Sequence, residues 1–600
     1  MTLPTDFDDP RFGPWNPGIQ SQIPADLLHL ATIFRPEHAR NTLRDVLELH
    51  DLTGLPLSEI VAFRPERLAL HEVLVRVTAN ISVPDGTRIE DLGISFRGIT
   101  TTILERHVEP RMAEIAAAYE ACRQQLADVI VRELARLFAA PVAAPGPPRR
   151  SGLLGRLFGG APEPSPAISA GPPAPALVVE WETRSRATDD AVERAACRAL
   201  ARTVSALLVK HGSVWGDGQV VGGLAIDLAA NALGSDTIGE LIEPLIPDAA
   251  ASEGYRLLPR QEQPVVMNTK GPSAGGKSTM RPLQKRLAGR IGVDWREFAL
   301  ISPDIWRKQL LDYDSLGATY KYAGAFTGEE LSIVDQKLDG YMARKGQRGE
   351  MSHLLIDRFR FDSFAPDSDE AGSNLLTRFG QIVYLFFLVT PPHLLVERAW
   401  QRGRDVGRYK AVDDTLAHAV EAYSGMPELF FTWVRRTDKQ VHFEFLDNTV
   451  ARGAPPRPAA FGWHGVLNVL DVSCLINIER YRKLNVDALA PDSLYPDRTL
   501  LAAGNNCAFL QQCIVEFREV NFVDQASGRI YLRVLSGVPA WADPPALARA
   551  FENTDTRAGL LATLPAVLDP LPHPPEAQVN LADDEHAHTV GAWGAMRAGA

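Results

Sequence analysis

The chain has 600 residues, of which 45% are hydrophobic and 23% are charged, and both fractions are typical of globular proteins. This length exceeds what one compact core accommodates, so we expect about three or four domains. The formal net charge of −12, with a pI near 5.7, argues against non-specific binding of nucleic acid as the main function.

Cysteine usage and the apolar runs indicate the compartment. The five cysteines are scattered, and the one close pair has no histidine at a zinc spacing, so we expect reduced thiols that are buried or idle. The N-terminal stretch is acidic and proline-rich and lacks the apolar segment of a signal peptide. No run approaches 18 apolar residues, which predicts a protein without a membrane span. A cytoplasmic location fits these features.

The first part of the chain is predicted to be mainly helical. Residues 1–140 form a helix-rich N-terminal module, whose clearest signal is the helical spacing of apolar residues at 105–138. Residues 141–176 are dominated by Pro, Ala, Gly and Ser, and this composition predicts a flexible linker. Within it, the basic and apolar stretch 149–160 is either a docking peptide or membrane-touching segment, or ordinary linker. Residues 177–261 are predicted to form a second helical module.

The second half of the chain carries strand-like runs. From 262 to 450 these runs alternate with helical patterns, which predicts an α/β domain with a parallel sheet flanked by helices. Residues 451–600 predict an α+β C-terminal module, in which two strands surround a turn at 525–528. The last thirty residues are polar and proline-rich, and we expect them to be frayed.

The most specific motif is the stretch "GPSAGGKS" at 271–278, which matches the P-loop pattern G-x-x-x-x-G-K-[S/T]. The apolar run before it and the helical pattern after it supply the strand–loop–helix context in which backbone N–H groups surround phosphate oxygens. Lys277 would then contact the β- and γ-phosphates, and the Ser278 hydroxyl would bind Mg²⁺. The alternative is a glycine turn that binds nothing. The candidate nucleotide-binding residues are Gly271, Pro272, Ser273, Ala274, Gly275, Gly276, Lys277, Ser278 and Thr279.

Two aspartates follow the next strand-like runs. Asp304 lies where a strand is predicted to end, near the expected γ-phosphate, and could accept a proton from an attacking hydroxyl. Its alternative role is to cap the helix that follows. Asp357 ends the apolar run at 353–357, and this position is typical of a carboxylate that binds Mg²⁺ or the acceptor. The alternative is an ordinary aspartate at the end of a strand.

An arginine-rich segment follows the apolar strand near 382–389. Such a segment predicts a lid that closes over the transferring phosphoryl group and stabilises its charge. The alternative is a solvated basic helix face. The basic residues within thirteen positions are Arg398, Arg402, Arg404, Arg408 and Lys410.

In this order, the motifs resemble those of the zeta-toxin family of P-loop kinases, over about residues 262–450. The resemblance is carried by "GPSAGGKST", by Asp304-Ile-Trp-Arg307, by "VYLFFLVTPP" with "VERAWQRGRDVGRY", and by "FEFLDNT" at 443–449. It implies a kinase with ATP and Mg²⁺ as cofactors and Asp304 as catalytic base. It also implies Arg402, Arg404 and Arg408 as lid residues and Asn448 beside the adenine.

The resemblance bears on the acceptor and on regulation as well. The family's toxins resemble UDP-N-acetylglucosamine kinases, which implies a nucleotide sugar or another hydroxyl-bearing small molecule as acceptor, with Asp357 and Arg307 on the acceptor side. The chain departs from the family where Asp357-Arg358-Phe359 replaces a glutamate followed by Gly or Thr, and where 312–346 lacks the usual His-Pro. Because family members are restrained by an antitoxin, the 1–140 module or a separate protein is a candidate regulator; the alternative is an assembly or targeting domain.

The sequence therefore predicts a phosphotransferase that uses ATP and Mg²⁺. Two other functions fit the same loop. One is a P-loop ATPase or nucleotide-gated switch, and the other is a nucleotide-binding scaffold without turnover. Asp304→Asn should separate them, because transfer would be lost while ATP binding is kept.

Overall fold

The structure is a computed structural model that describes residues 10–138, 142–143, 168–169, 173–214, 217–359, 375–575 and 580–593. The chain forms two compact units. The first comprises Met1–Thr32, Leu74–Ile103 and Ile246–Ala600, and the second comprises Ile33–Val73 and Leu104–Leu245. The basic stretch predicted at 149–160, and most of the predicted linker around it, lie outside the described residues.

The α-helices of the described residues are α1 Leu43–Thr53, α2 Leu57–Ile60, α3 Pro65–Asn80, α4 Asp91–Ile103, α5 Met112–Leu137, α6 Ala174–Ala187, α7 Ala191–His211, α8 Gly218–Ala229, α9 Ser235–Ile242, α10 Leu245–Glu253, α11 Arg281–Arg290, α12 Arg307–Leu310, α13 Ala323–Phe326, α14 Gly328–Gln347, α15 Pro392–Val406, α16 Val412–Val434, α17 Val472–Tyr481, α18 Ala508–Glu516, α19 Pro544–Ala550 and α20 Thr554–Thr563. No described helix has the combination of length and hydropathy that crossing a bilayer requires.

The strands are β1 Val142–Ala143, β2 Ile168–Ser169, β3 Val265–Lys270, β4 Phe298–Ile301, β5 His353–Asp357, β6 Ile382–Val389, β7 Gln440–Asp447, β8 Arg457–Trp463, β9 Val466–Val469, β10 Glu519–Val523, β11 Ile530–Leu535 and β12 Val538–Ala542. Short 3₁₀ segments also matter for the site, among them Lys277–Met280, Pro303–Trp306 and Asp314–Tyr322.

The second unit is built mainly from helices that bury a polar cluster. The buried indole of Trp181 on α6 donates to Glu133 of α5 at 2.9 Å, and Arg136 and Arg184 also donate to this carboxylate. A buried carboxylate requires such partners, so the cluster ties α5 to α6. α7 begins at Asp190, whose side chain accepts from two backbone N–H groups of the first turn.

Ten strands of the first unit form a single sheet in the order β12-β11-β10-β9-β8-β7-β6-β3-β5-β4. Five neighbouring strands of this sheet run parallel: β7, β6, β3, β5 and β4. Helices flank the sheet, so this unit is an α/β fold, as expected. β3 is buried along its whole length between β5 and β6, which explains why its sequence is an uninterrupted run rather than an alternating one. Its carboxyl end leads directly into the loop at 271–278.

The strands beyond residue 450 extend this same sheet. β8 pairs antiparallel with β7, and β9 to β12 continue the sheet outward. The predicted hairpin around 525–528 is present as β10 and β11. The boundary predicted at 450/451 thus falls between two hydrogen-bonded strands. The physical reason is that an unpaired β7 edge would leave backbone donors and acceptors without partners, and β8 supplies them.

The predicted 1–140 module is divided between the two units at three points, one of which falls inside α3. Within the first unit, the indole of Trp306 donates to Thr78 at 3.2 Å. The buried ammonium of Lys345 donates to the carbonyl of Ala79 at 2.7 Å and to the side chain of Asn80 at 2.8 Å. Helical periodicity alone does not show that polar partners so far apart in sequence lie together.

Residues 587–591 are fixed against the sheet, whereas the sequence predicted a frayed segment. The buried carboxylate of Glu444 on β7 accepts from the backbone N–H groups of Val590 at 2.8 Å and Gly591 at 3.1 Å. His442, two residues earlier on β7, is hydrogen-bonded to the carbonyl of Ala587 at 2.9 Å. The composition of the segment does not reveal this order, because its partners lie on a distant strand.

Stability should depend on pH through Glu444. Burial raises its pKa to about 7, against an opposing effect of the two backbone donors. Between its ordinary pKa of 4.5 and about 7, the folded state therefore binds more protons than the unfolded state, and the contribution of Glu444 to stability falls as pH rises. We expect the free energy of unfolding of wild type, relative to Glu444→Gln, to fall by roughly 3 kcal/mol across this window. Urea unfolding of both proteins at several pH values measures this difference, and a pH-independent difference would contradict the assignment.

Candidate functional site

The loop at 271–278 has the backbone geometry of a tightly wound turn. Gly276 is left-handed with φ 96°, and a Cβ there would lie 2.5 Å from the side-chain nitrogen of Asn448. A Cβ on Gly271 would lie 3.0 Å from the Cβ of Leu388. Ala274 also has a positive φ of 62°, which costs an alanine about 1 kcal/mol. The glycines are therefore required by close packing, and the alanine stores backbone strain of the kind found at functional sites.

Neighbouring polar side chains brace this loop. Asn448, which follows β7 and is 7% exposed, donates to the carbonyl of Gly275 at 2.7 Å. Thr390, which follows β6, donates to the same carbonyl at 3.3 Å. Thr279 turns back to the carbonyl of Gly276 at 2.6 Å. The structure thus places Asn448 against the loop, with its side-chain amide hydrogen-bonded to the backbone.

Lys277 folds back over its own loop. Its ammonium donates to the carbonyls of Gly271 at 3.1 Å and Pro272 at 3.2 Å, and it lies 5.7 Å from the ring centre of Phe359. Burial lowers the pKa of Lys277, while Asp357 and other nearby carboxylates oppose that effect. Two neutral carbonyls hold the cation, so an anion entering the loop could replace them.

Ser278 and Asp357 meet at the carboxyl edge of adjacent parallel strands. The Ser278 hydroxyl donates to Asp357 Oδ2 at 2.8 Å, and Ser302 donates to the same oxygen at 3.4 Å. Asp357 is the last residue of β5, which neighbours β3, so strand order alone brings it beside the loop. Hydroxyl and carboxylate oxygens are the ligands that Mg²⁺ prefers, and Mg²⁺ on a nucleotide needs only one or two of them. The residues present therefore fit a magnesium ion.

Asp304 is held between two arginines. It lies in the 3₁₀ segment after β4, its side chain is 43% exposed, and it accepts from Arg307 at 3.0 Å and from Arg408. The surrounding protein disfavours its charged form, but Arg408 and Arg307 outweigh this and hold the pKa of Asp304 well below its usual range. Its oxygens accept from arginine side chains and not from a backbone N–H at a helix start, so the capping alternative is not what the structure shows.

The arginine-rich segment contributes some of its arginines to the site and places the others elsewhere. α15 ends at Gly407, whose left-handed φ of 72° turns the chain so that Arg408 reaches Asp304. Arg402 donates to the carbonyl of Arg408 at 3.3 Å, and burial together with the Arg408 charge lowers the pKa of Arg402 to about 9. Arg398 instead donates to the carbonyl of Asn448 at 2.8 Å. Arg404 is exposed, so the structure brings Arg402 and Arg408 into the site but not Arg404.

A further cationic group lies beside the arginines. Lys410 donates to His418 Nδ1 at 2.5 Å and lies 3.2 Å from Asp414. Burial lowers the pKa of Lys410 to about 8. His418 stacks on Phe359 with ring centres 4.2 Å apart, and this is the same ring that Lys277 faces. Sequence reasoning had not singled out His418, Phe359 or Thr390 as site residues; for Thr390, its position at the carboxyl end of β6 is a usable signal.

The departure from the family pattern at Arg358 has a structural explanation. Arg358 is buried and forms ion pairs with Asp335 at 2.6 Å and Asp339 at 2.5 Å, both on α14. Burial disfavours its charged form, but these two carboxylates outweigh that and raise its pKa. The side chain therefore ties α14 to the residue that follows β5.

Replacing Arg358 should destabilise the protein strongly. Arg358→Leu leaves two carboxylates buried without their cation, and we expect a loss of about 3–5 kcal/mol in the free energy of unfolding. The matched control is Arg348→Leu, which removes an exposed ion pair with Glu350 and should cost less than about 1 kcal/mol. Denaturant unfolding compares them, and equal losses would show that the buried cluster is not a major source of stability.

N-terminal residues contact the part of the chain that the sequence assigned to the acceptor side. Arg307 donates to the carbonyl of Gly324 at 2.6 Å and to Thr327 at 2.7 Å, so it supports α13 as well as Asp304. The ammonium of Lys321 lies 3.9 Å from the ring centre of Phe12. The backbone N–H of Gln20 donates to the Tyr322 hydroxyl at 3.4 Å, and Ser21 donates to Asp413 at 2.5 Å. The first described residues are therefore part of this side of the site.

Comparisons with known proteins do not identify a family. No protein-family model, no curated protein and no solved structure matches the chain. The resemblance to zeta toxins therefore rests on the motifs and their order.

The site combines a strained glycine loop with a cluster of cationic side chains. Lys277, Arg402, Arg408 and Lys410 lie around Asp304, Asp357 and Asp414, and burial lowers the pKa of Lys277, Arg402 and Lys410. Mutual repulsion of partly desolvated cations is relieved by an anion of several charges. The arrangement is therefore suited to hold a polyphosphate beside an oriented carboxylate.

Proposed function

We propose that the chain is a P-loop kinase that transfers the γ-phosphoryl group of ATP, with Mg²⁺, to a hydroxyl of a small molecule. The observation that carries the proposal is the hydrogen bond from Ser278 to Asp357 at 2.8 Å. It lies beside Lys277, whose ammonium donates to the carbonyl at the start of the same loop. Asp304, oriented by two arginines at the same sheet edge, supports a transfer site over simple nucleotide binding.

The strand order supports this assignment. β3, the strand that precedes the glycine loop, lies at the centre of the parallel strands, with β5 and its terminal Asp357 on one side and β6 on the other. In open α/β sheets, ligands bind outside the carboxyl ends of the strands. The loop, Asp357 and the residues after β4, β6 and β7 all lie there.

Each charged side chain has a distinct role in the proposed transfer. Loop N–H groups and Lys277 would hold the β- and γ-phosphates, with Lys277 exchanging its present carbonyl partners for phosphate oxygens. Ser278 and Asp357 would bind Mg²⁺, which, when present, neutralises phosphate charge. Arg402 and Arg408 would stabilise the negative charge of the transferring group. Asp304 would orient the acceptor hydroxyl and take its proton as the bond to phosphorus forms.

The low pKa of Asp304 is compatible with this role. At neutral pH the carboxylate is fully ionised and free of a competing proton. When the acceptor hydroxyl attacks, its oxygen loses electron density and its proton becomes acidic, so even a weakly basic carboxylate accepts it late in the step. The two arginines mainly fix the direction of the carboxylate.

The acceptor class follows from the resemblance, which favours a nucleotide sugar such as UDP-N-acetylglucosamine. The cationic Lys410 and Lys321 are candidates to receive an anionic part of such an acceptor. The proposed antitoxin-like regulation stays a hypothesis. Residues 10–32 and 74–103 belong to the unit that carries the loop, so a regulatory test should alter the second unit and keep these segments.

The test is a phosphotransfer assay with purified protein, [γ-³²P]ATP and Mg²⁺. UDP-N-acetylglucosamine is assayed first, followed by a polar metabolite extract read by mass spectrometry for the gain of one phosphoryl group. Label on an acceptor supports the kinase. Release only as inorganic phosphate supports an ATPase, and binding without turnover supports a scaffold; either result contradicts the proposal.

Two arginines that are four residues apart, Arg404 and Arg408, provide a matched test of the lid. Arg408→Ala removes a cation that contacts Asp304, and we expect phosphotransfer to fall about 100-fold. Arg404→Ala removes an exposed cation of the same segment, and its activity should stay within about twofold of wild type. Steady-state kinetics measure both, and equal losses would assign the segment to long-range electrostatics instead of direct contact.

A further inference from the structure

A cavity lies on the C-terminal half of the sheet, and none of its lining residues comes from the loop at 271–278. It has a volume of about 450 Å³, within the range of cavities that hold small organic ligands. Its walls come from β8 to β12 and from the segments at 575 and 581–587. The aromatic lining residues are Phe461, Trp463 and Trp541. None of these residues belongs to the proposed kinase site.

A buried polar network forms the floor of this cavity. Asn468 on β9 and Asn521 on β10 are register partners, and the amide of Asn521 donates to Asn468 at 3.0 Å and to Glu519 at 2.9 Å. Arg533 donates to Asn521 at 2.9 Å and lies over the ring of Trp541 at 5.5 Å. These contacts place amide and charged groups beside aromatic side chains in the lining of the cavity.

The side-chain nitrogen of Asn468 has no acceptor within this network. Asn468 is only 6% exposed, yet its side-chain nitrogen donates to no group of the described residues, while its oxygen accepts from Asn521. This nitrogen is not among the buried polar atoms that lack a partner, so it stays accessible to water or to a ligand. Because Asn468 lines the cavity, a ligand there would receive this hydrogen bond.

The charge of the lining restricts the ligand. Arg533 lies 3.4 Å from Glu519, and Asp584 adds a second negative charge to the wall. A phosphate or carboxylate would therefore meet no uncompensated cation among the described lining residues. The site suits a neutral ligand with an apolar face for indole and several groups that both donate and accept hydrogen bonds. Sugar hydroxyls have this dual capacity, and the C–H face of a pyranose packs against aromatic rings.

We propose that this cavity binds a neutral saccharide, as a free sugar or as one unit of a longer glycan. The pyranose would lie against Trp463, the partly exposed indole of the lining, accept a hydrogen bond from the Asn468 amide and donate hydroxyls to Glu519. The site is separate from the proposed phosphotransfer site and does not depend on its activity.

Isothermal titration calorimetry of the full chain tests the proposal with glucose, galactose, N-acetylglucosamine, maltose and cellobiose as probes. Uridine and adenosine serve as neutral nucleoside comparisons. We expect one or more saccharides to bind with one-to-one stoichiometry. Asn468→Ala should weaken that binding at least about fivefold, through loss of the donor. Val466→Phe, which fills the cavity but keeps the network, should weaken it at least as much.

Two controls separate this site from the kinase site and from misfolding. Asp304→Asn should bind the saccharide as wild type does. In wild-type protein labelled with [¹⁵N]tryptophan, the indole N–H resonances of Trp463 and Trp541 should shift on titration, whatever the fate of the cavity variants. If a disaccharide binds more tightly than its monosaccharide, the glycan source is favoured. No saccharide binding up to about 10 mM, tighter binding of a nucleoside, or unchanged binding in both cavity variants would overturn the proposal.

Discussion

Asp304→Asn is expected to reduce phosphotransfer by about 10²–10⁴-fold while ATP binding is kept. The change preserves the shape of a side chain that is 43% exposed, so folding should be little affected. It removes the proton acceptor and one of the charges that hold Arg307 and Arg408. Because those cations then lack their carboxylate, ATP affinity should be unchanged or higher.

The measurements are kcat for transfer and the Kd for ATP, determined separately. The control is Asp314→Asn, an exposed aspartate ten residues later in the same unit, which should leave both quantities within about twofold of wild type. A variant that loses ATP binding in parallel with transfer would show that Asp304 is structural and not the base.

Lys277→Met should have an effect at least as large, of about 10³-fold or more on kcat/KM. Methionine keeps the length and apolar stem of lysine but removes the charge that the loop carbonyls hold. ATP binding should also weaken, in contrast to Asp304→Asn, because Lys277 contacts phosphate in both ground and transition states. The two variants therefore separate binding from chemistry.

Lys285→Met is the matched control for this substitution. Lys285 lies on α11, eight residues after Lys277, and pairs with Asp85 at 3.1 Å on the surface. Loss of this exposed pair should change activity less than about twofold. Retention of ATP turnover by Lys277→Met would refute the proposed role of the loop.

Much of the site could be predicted from the sequence because its residues follow strand ends. The loop after β3, Asp304 after β4 and Asp357 at the end of β5 are each preceded by an apolar run, and parallel strands end at one edge of a sheet. The same rule points to Thr390 after β6. Arg408 was predicted within a basic segment, but periodicity could not separate it from Arg404, because the turn at Gly407 decides which arginine faces Asp304.

The rest depends on partners that are distant in sequence. Nothing local indicates that Arg358 is buried by Asp335 and Asp339, or that residues near Phe12 contact the segment around Lys321. The extension of the sheet past residue 450 also depends on contacts that the local sequence does not reveal. An antiparallel neighbour is defined by backbone pairing, which leaves only a weak trace in side-chain composition.

The continuous sheet has a consequence for synthesis of the chain. β7, whose end places Asn448 against the glycine loop, has an open edge until β8 has been made, and Glu444 meets its backbone partner at 590 only 146 residues later in sequence. During translation the nucleotide half is therefore exposed as an incomplete intermediate with an unpaired strand, the state in which nascent proteins are most prone to aggregate. β8 can close the edge of β7 as soon as it has been made, whereas the Glu444 carboxylate stays without its backbone donors until residues 590 and 591 have been made.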